Sequence, residues 1–131
     1  MRFLLILLFT TTFMFAGSLE SFAKKLSYET SYKSALVKAK EQKKPILLIQ
    51  VSSYCPWCKK LEKRVLASDK VNSVVQREYI PLVLNRDKRE YPKQFYTPIV
   101  PVSYIIDYKD ESKFKMLRGY QGKNDFLHFI K

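Results

Sequence analysis

The chain has 131 residues, a formal net charge of +12 and only two cysteines. That length holds one domain with a single core, and two cysteines exclude a disulfide-stapled secreted scaffold. Lys33, Lys38, Lys40, Lys43, Lys44, Lys59, Lys60, Lys63, Arg64, Arg86, Lys88, Arg89, Lys113 and Lys115 spread the positive charge along the sequence. Most of them fit solvent faces of helices and strands. As a field they steer toward acidic partners or an anionic membrane surface.

The N-terminus reads as an export signal. Met1-Arg2 is a short basic region, and Phe3 to Phe9 opens an apolar run that Thr10-Thr11-Thr12 softens before it continues to Ala16. A membrane span needs about 20 apolar residues, so this run is short for one. Ser21-Phe22-Ala23 presents small residues at both recognition positions of a cleavage site, whereas Met14-Phe15-Ala16 is the poorer junction because Met14 is not small. The expected division is therefore a signal peptide over residues 1–23 and one domain over residues 24–131, with an uncleaved anchor as the alternative. No cysteine lies near the segment, which excludes a lipoprotein anchor. Export disfavours nucleic acid as a partner, and no nucleic-acid motif is present.

Residues 27–44 are predicted helical: Tyr28, Tyr32, Ala35, Leu36 and Ala39 recur at spacings of three and four, and Ser27 or Thr30 can cap the helix. Pro45 ends it and opens a strand, Ile46 to Val51, apolar almost throughout as a central strand covered on both faces would be. A second helix is expected over residues 56–66. Ser68-Asp69 caps a third over residues 70–77, with Val71, Val74 and Val75 facing in. Residues 79–84 read as a strand, and residues 87–94 have helical potential. Residues 102–107 and 114–118 read as a hairpin around the turn-like Lys109-Asp110-Glu111-Ser112, broken by Gly119. Asn124 is expected to cap a last helix over residues 125–131. Alternation followed by a closing hairpin implies a mixed sheet between helices.

The chemistry-bearing residues sit between the first strand and the second helix: Tyr54-Cys55-Pro56-Trp57-Cys58. That order puts Cys55 at or near a helix N-terminus, where backbone N–H groups without helical partners favour thiolate over thiol. Cys58 is about one turn on, so the pair can close a disulfide. Three blander readings compete. A structural staple would enclose too short a loop to constrain the unfolded chain much. A zinc site needs four ligands, and His128 is the only histidine. Haem attachment needs His after the second cysteine, and Lys59 is there. An exported chain whose only thiols form C-x-x-C uses them as redox chemistry, without cofactor or metal.

Strand, Cys55-Pro56-Trp57-Cys58, helix, strand, then Ile99-Val100-Pro101-Val102 opening a strand, hairpin, Gly119 and closing helix: over residues 27–131 this order resembles the thioredoxin fold, an α/β fold with a central mixed sheet flanked by helices. Cys58-Lys59-Lys60-Leu61-Glu62-Lys63 followed by Ser68-Asp69-Lys70-Val71 is similar to thioredoxin-like domains of exported disulfide reductases, such as the C-terminal domain of the DsbD type. The resemblance implies a thiol:disulfide oxidoreductase. Cys55 would be the attacking thiol, Cys58 the resolving one and Pro101 a cis-proline facing them. Tyr54, Pro56, Trp57 and Val100 would meet the substrate. It implies a periplasmic or otherwise exported monomer acting on protein disulfides or dithiols, fed by an upstream thiol donor, with a membrane redox partner as one source. The reducing direction follows the same subfamily. The chain departs from the family at Ile49, where a buried Asp six residues before the first cysteine handles the resolving thiol's proton. Proton transfer to Cys58 must then use water or a distant acid such as Glu62, or be slower, and a solvated residue paired with Lys59 or Lys63 is the commoner role of Glu62. Val100 before Pro101 is also what oxidases of the DsbA type carry. Those usually hold a large helical insertion for which residues 85–97 leave no room. A glutaredoxin-like reading is weaker because a full helix precedes the motif. A non-catalytic thioredoxin-fold binding module is the reading from another class, and mutating both cysteines would separate it.

Overall fold

The computed structural model describes residues 18–131. Residues 1–17 of the expected 1–23 leader lie outside the described residues. Among the described residues, five α-helices flank one four-stranded sheet: α1 Ser18–Leu26, α2 Tyr32–Gln42, β1 Ile46–Val51, α3 Pro56–Leu61, α4 Asp69–Glu78, β2 Ile80–Asn85, β3 Val102–Ile106, β4 Phe114–Arg118 and α5 Lys123–Ile130. The strand order is β2-β1-β3-β4, with β1 parallel to β2 and antiparallel to β3, and β3 antiparallel to β4. This is the mixed sheet of the thioredoxin fold.

β1 explains why its sequence is apolar on both alternations. Leu47, Ile49 and Val51 enter one core with α1, α3, α4 and α5, together with Cys55, Cys58, Leu61, Val65 and Phe126. Ile46 and Leu48 enter the other, under α2, with Phe95 and Tyr104. A strand whose two faces are both covered has no place for alternating polar residues.

The helix expected over residues 27–44 is shortened to α2, with an extended stretch before it that separates it from α1. Glu29 is claimed by the edge of β2: its N–H donates to the Pro81 carbonyl at 2.8 Å, and Val83 N–H donates to the Glu29 carbonyl at 3.0 Å. A residue so paired cannot also be helical. α2 therefore starts after Ser31, whose hydroxyl accepts from Ser34 N–H. Upstream, α1 occupies residues that read as leader. Ala23 and Leu26 are buried, Leu19 and Phe22 pack against the same core, and the Phe22 ring lies 5.2 Å from Tyr28. Tyr28 N–H closes the helix end on the Ala23 carbonyl at 2.8 Å, and Gln76 Nε2 donates to the Leu26 carbonyl at 2.7 Å.

Residues 87–94 form no regular helix. Arg86–Lys88 and Lys93–Phe95 are single 3₁₀ turns, separated by Arg89 in the left-handed region (φ 54°) and by Pro92. A bulky residue at positive φ stops helix propagation. Ser68 caps α4 by accepting from Val71 N–H. α5 starts after Gly122 rather than at Asn124, which lies inside its first turn. Gly119 turns the chain out of β4 at φ 74°, a conformation that costs a residue without Cβ nothing. Among the described residues, no helix is long and apolar enough to cross a membrane.

Candidate active site

β1 ends at Val51 and the chain turns into α3, leaving Cys55 as the N-cap residue with extended backbone (φ −134°). Pro56 fills the first helical position, where its preset φ fits and its missing N–H is not needed. Cys55 and Cys58 are joined in a disulfide with Cα atoms 5.2 Å apart. Cys58 N–H points at Cys55 Sγ at 3.1 Å, so the helix aims one of its unpartnered N-terminal donors at that sulfur. In the reduced protein the same donor would stabilise a thiolate on Cys55. The two sulfurs differ in access: Cys55 retains 9% exposure, while Cys58 is buried at 1%.

The segment opposite comes from the entry to β3. The Val100–Pro101 peptide bond is cis, and the Val100 carbonyl oxygen lies 3.8 Å from Cys55 Sγ. Pro101 is buried, Val100 half-buried. Several side chains that drew no attention in the sequence hold this segment. Gln50 Nε2 donates to the Phe95 carbonyl at 3.3 Å, Arg86 Nη1 donates to the Pro98 carbonyl at 2.8 Å, and the Thr97 hydroxyl donates to the Ile99 carbonyl at 2.7 Å. Asn85 Nδ2 reaches Ser53 Oγ at 3.1 Å, tying the end of β2 to the loop before Cys55. No local pattern signals these contacts, because each joins residues brought together by the sheet.

Of the aromatic candidates, Tyr54 is almost fully exposed and Trp57 half-exposed. Trp57 stacks on Tyr120 from beyond β4, centroids 5.5 Å apart, and Lys60 Nζ sits 4.7 Å from both rings. Tyr120 is an addition to the expected site.

Ile49 is fully buried, in the same core as both cysteines. Glu62, more readily read as a solvated residue, is buried as well. Its side chain is 8% exposed and pairs with Lys59 at 3.5 Å. Burial pushes its carboxyl above the ordinary range, and Lys59 and Lys63 offset this only partly. The helix widens here: residues 62–66 form a π-helical turn, with Ala67 N–H bonded to the Glu62 carbonyl at 2.9 Å. π-Turns recur at functional sites. Glu62 stands one turn beyond Cys58, the spacing that places two side chains on one helix face. Among the described residues, no cluster of His, Cys, Asp and Glu could hold a metal ion.

The comparisons with known proteins agree with this geometry. Residues 27–107 match the family model described as thioredoxin-like. Anterior gradient protein 3 of Xenopus tropicalis is 30% identical over 76 residues, covering 56% of this chain and 46% of that protein. The chain thus matches less than half the length of that curated relative. Among solved structures, a thioredoxin from Thermus thermophilus superposes with a TM-score of 0.64 at 17% identity, covering 79% of this chain and 83% of that one. The oxidised DsbD C-terminal domain of Neisseria meningitidis gives 0.61 at 17% identity, covering 77% and 95%. A DsbH oxidoreductase gives 0.63 at 21% identity, covering 79% and 81%. At these identities the structural likeness speaks for the fold, and the cysteine pair at the start of α3 supplies the chemistry. The chain belongs to the thioredoxin-like family, with Cys55 and Cys58 joined in a disulfide at the start of α3.

Proposed function

We propose that this is an exported, periplasmic oxidoreductase that reduces disulfides of partner proteins. The carrying observation is the asymmetry of the two sulfurs. Cys55 is reachable and faces both a helix N-terminus and the Val100 carbonyl, whereas Cys58 is buried behind it. Cys55 is thus the attacking thiol. Its thiolate bonds to one partner sulfur, the partner disulfide breaks, and the other partner sulfur leaves as thiolate. Cys58 then gives up its proton, attacks Cys55 Sγ, and expels the second partner sulfur. The partner leaves as a dithiol and the Cys55–Cys58 disulfide remains, to be reduced again by an upstream dithiol. Glu62 serves as acceptor for the Cys58 proton in place of the acid that Ile49 replaces, since it is the buried carboxylate one turn away with a raised affinity for protons. Pro101 and Val100 shape the wall against which the partner's sulfur lies, and Tyr54, Pro56 and Trp57 provide the apolar contact.

The reducing direction is supported by the DsbD-like fold and by Cys58-Lys59-Lys60-Leu61-Glu62. One second reading has a specific observation behind it. An apolar Ile49 and Val100 before Pro101 are features of DsbA-type oxidases, and such an enzyme would run the same exchange backwards. Export rests on the N-terminal apolar run. Cleavage between Ala23 and Lys24 would cut through α1 and remove Leu19, Phe22 and Ala23 from the core. A junction after Ala16 leaves α1 whole and is the one proposed here. The mass of the secreted protein decides between the two junctions.

Reduction of insulin by the purified protein with a dithiol donor tests the activity. Cys55→Ser should abolish turnover, and Cys58→Ser should accumulate mixed disulfides visible on non-reducing gels. Full turnover by Cys55→Ser would reject the nucleophile assignment.

A further inference from the structure

We propose that the surface around Cys55 selects partner segments carrying Asp or Glu beside their reactive cysteine; this rests on the oxidoreductase reading above and names its substrate class. Four exposed large side chains belong to the two segments that meet at the sulfur: Tyr54 and Trp57 in the cysteine motif, and Tyr96 and Ile99 on the segment that leads to Val100, whose carbonyl lies 3.8 Å from Cys55 Sγ. Each shoulder carries a cation laid on an aromatic face. Lys60 Nζ lies 4.7 Å from the centroids of both Trp57 and Tyr120, and the Arg89 guanidinium lies 4.9 Å from that of Tyr96. An aromatic face holds a cation in place by its quadrupole without neutralising it. The charge therefore stays available to a carboxylate that lies on the same ring.

The nearby carboxylates leave these two cations unsatisfied. Asp87 pairs with Arg86 at 3.1 Å, and Glu62 is buried against Lys59. Glu90, exposed next to Arg89, is the one acid flanking either cation in sequence. Among the described residues neither Lys60 nor Arg89 takes part in an ion pair. On this proposal, a partner chain that runs past Trp57, over the cysteine and along the segment before Pro101 meets apolar contact at the sulfur and a positive charge from each of the two segments. Acidic residues on both sides of its cysteine complement that order, and basic ones oppose it. Such rim charges act mainly on encounter rate and on rejection of wrong partners.

Two peptide disulfides, identical except for Glu or Lys on both sides of the cysteine, test this directly. The Glu peptide should show a kcat/KM about tenfold above the Lys peptide at low ionic strength, with the ratio shrinking as salt screens the pair. The double variant Lys60→Gln/Arg89→Gln should bring the ratio to within about twofold. Lys40→Gln/Lys113→Gln removes the same charge from the opposite end of the sheet and should leave the ratio standing. The ratio cancels any effect of Lys60 on the reactivity of Cys55 itself. Equal rates for the two peptides overturn the proposal, as does a preference that falls equally with either double variant, because net charge alone would then explain it. Trp57, the only tryptophan, reports on the surface: an emission shift with anionic vesicles, alongside equal peptide rates, would make this a membrane-facing patch instead. If neither peptide is reduced, the oxidoreductase reading fails first.

Discussion

On the mechanism proposed above, Ile49 and Glu62 together set how the buried cysteine loses its proton. Ile49 is sealed in the core with Cys55 and Cys58, where an acid would be costly, and Glu62 lies one helical turn beyond Cys58 with Lys59 beside it. In Glu62→Gln the mixed disulfide should resolve about 100-fold more slowly, the low end of what a lost general base costs, measured by stopped-flow reduction of a model disulfide. The stability of this variant has its own signature. The Glu62 carboxyl is raised above its ordinary value of 4.5 by burial, so between that value and its folded one the native state holds the extra proton. Wild-type stability therefore falls as pH rises through this window, and the Gln variant lacks that fall. Urea midpoints taken across the acid range should show the Gln variant gaining on wild type with rising pH, then levelling. Ile49→Asp is the complementary change. A carboxylate there would cost several kcal/mol if ionised, so its affinity for protons rises. The stabilisation held by the protonated form is lost as pH climbs from about 3.9 through the raised value. The same variant should release reduced product faster near that raised value. An unchanged rate with the fold intact would assign proton transfer wholly to the Glu62 side. The site's chemistry was legible at residue level because the cysteine spacing, Pro56 and the preceding apolar strand are local signals. The burial of Glu62 was not, since Lys59, Lys60, Lys63 and Arg64 around it make the stretch read as a solvated face.

α1 is the element whose sequence supports two readings at once, for a physical reason. Its apolar residues Leu19, Phe22, Ala23 and Leu26 follow directly on a longer apolar run, so a leader and an amphipathic helix share one stretch of sequence. Packing separates them: these residues lie on one face at spacings of three and four and meet β2, Tyr28 and α4. A chain starting at Lys24 should be less stable than one starting at Ser18 by about 3 kcal/mol, the burial of roughly two apolar side chains. For a domain of this size that corresponds to a fall in Tm of roughly 15 °C. Thermal unfolding of the two chains checks it, and Phe22→Ala should show part of the same loss. Equal Tm values would mean that α1 adds nothing to the core. The break between α1 and α2 was equally hidden. Tyr28, Tyr32, Ala35 and Ala39 keep helical spacing across it, and only the pairing of Glu29 with Pro81 and Val83 shows that the backbone is extended there.

For the whole molecule, the direction of exchange is a statement about stability. A dithiol that reduces others must leave the folded protein more stable oxidised than reduced, and an oxidant of the DsbA kind has the opposite balance. The disulfide here closes a minimal loop, with the cysteines three positions apart, for which chain entropy supplies about 2 kcal/mol at most. The oxidised protein is expected to melt about 5–10 °C above the reduced one, and a higher Tm for the reduced form would support the oxidase reading. Calorimetry on both forms makes the comparison. The sequence by itself determined the sheet and the place of the redox pair. Strand periodicity, Pro45, the Cys55-Pro56-Trp57-Cys58 spacing and the β3–β4 hairpin are all written within short windows, where backbone preference and local burial act together. Only the tertiary structure decided what surrounds the sulfurs: Val100 across from Cys55, Arg86 and Gln50 bracing the segment before Pro101, Tyr120 against Trp57, and Glu62 drawn into the interior. Those contacts join residues tens of positions apart, and their geometry follows from strand register and helix packing, which no local pattern encodes.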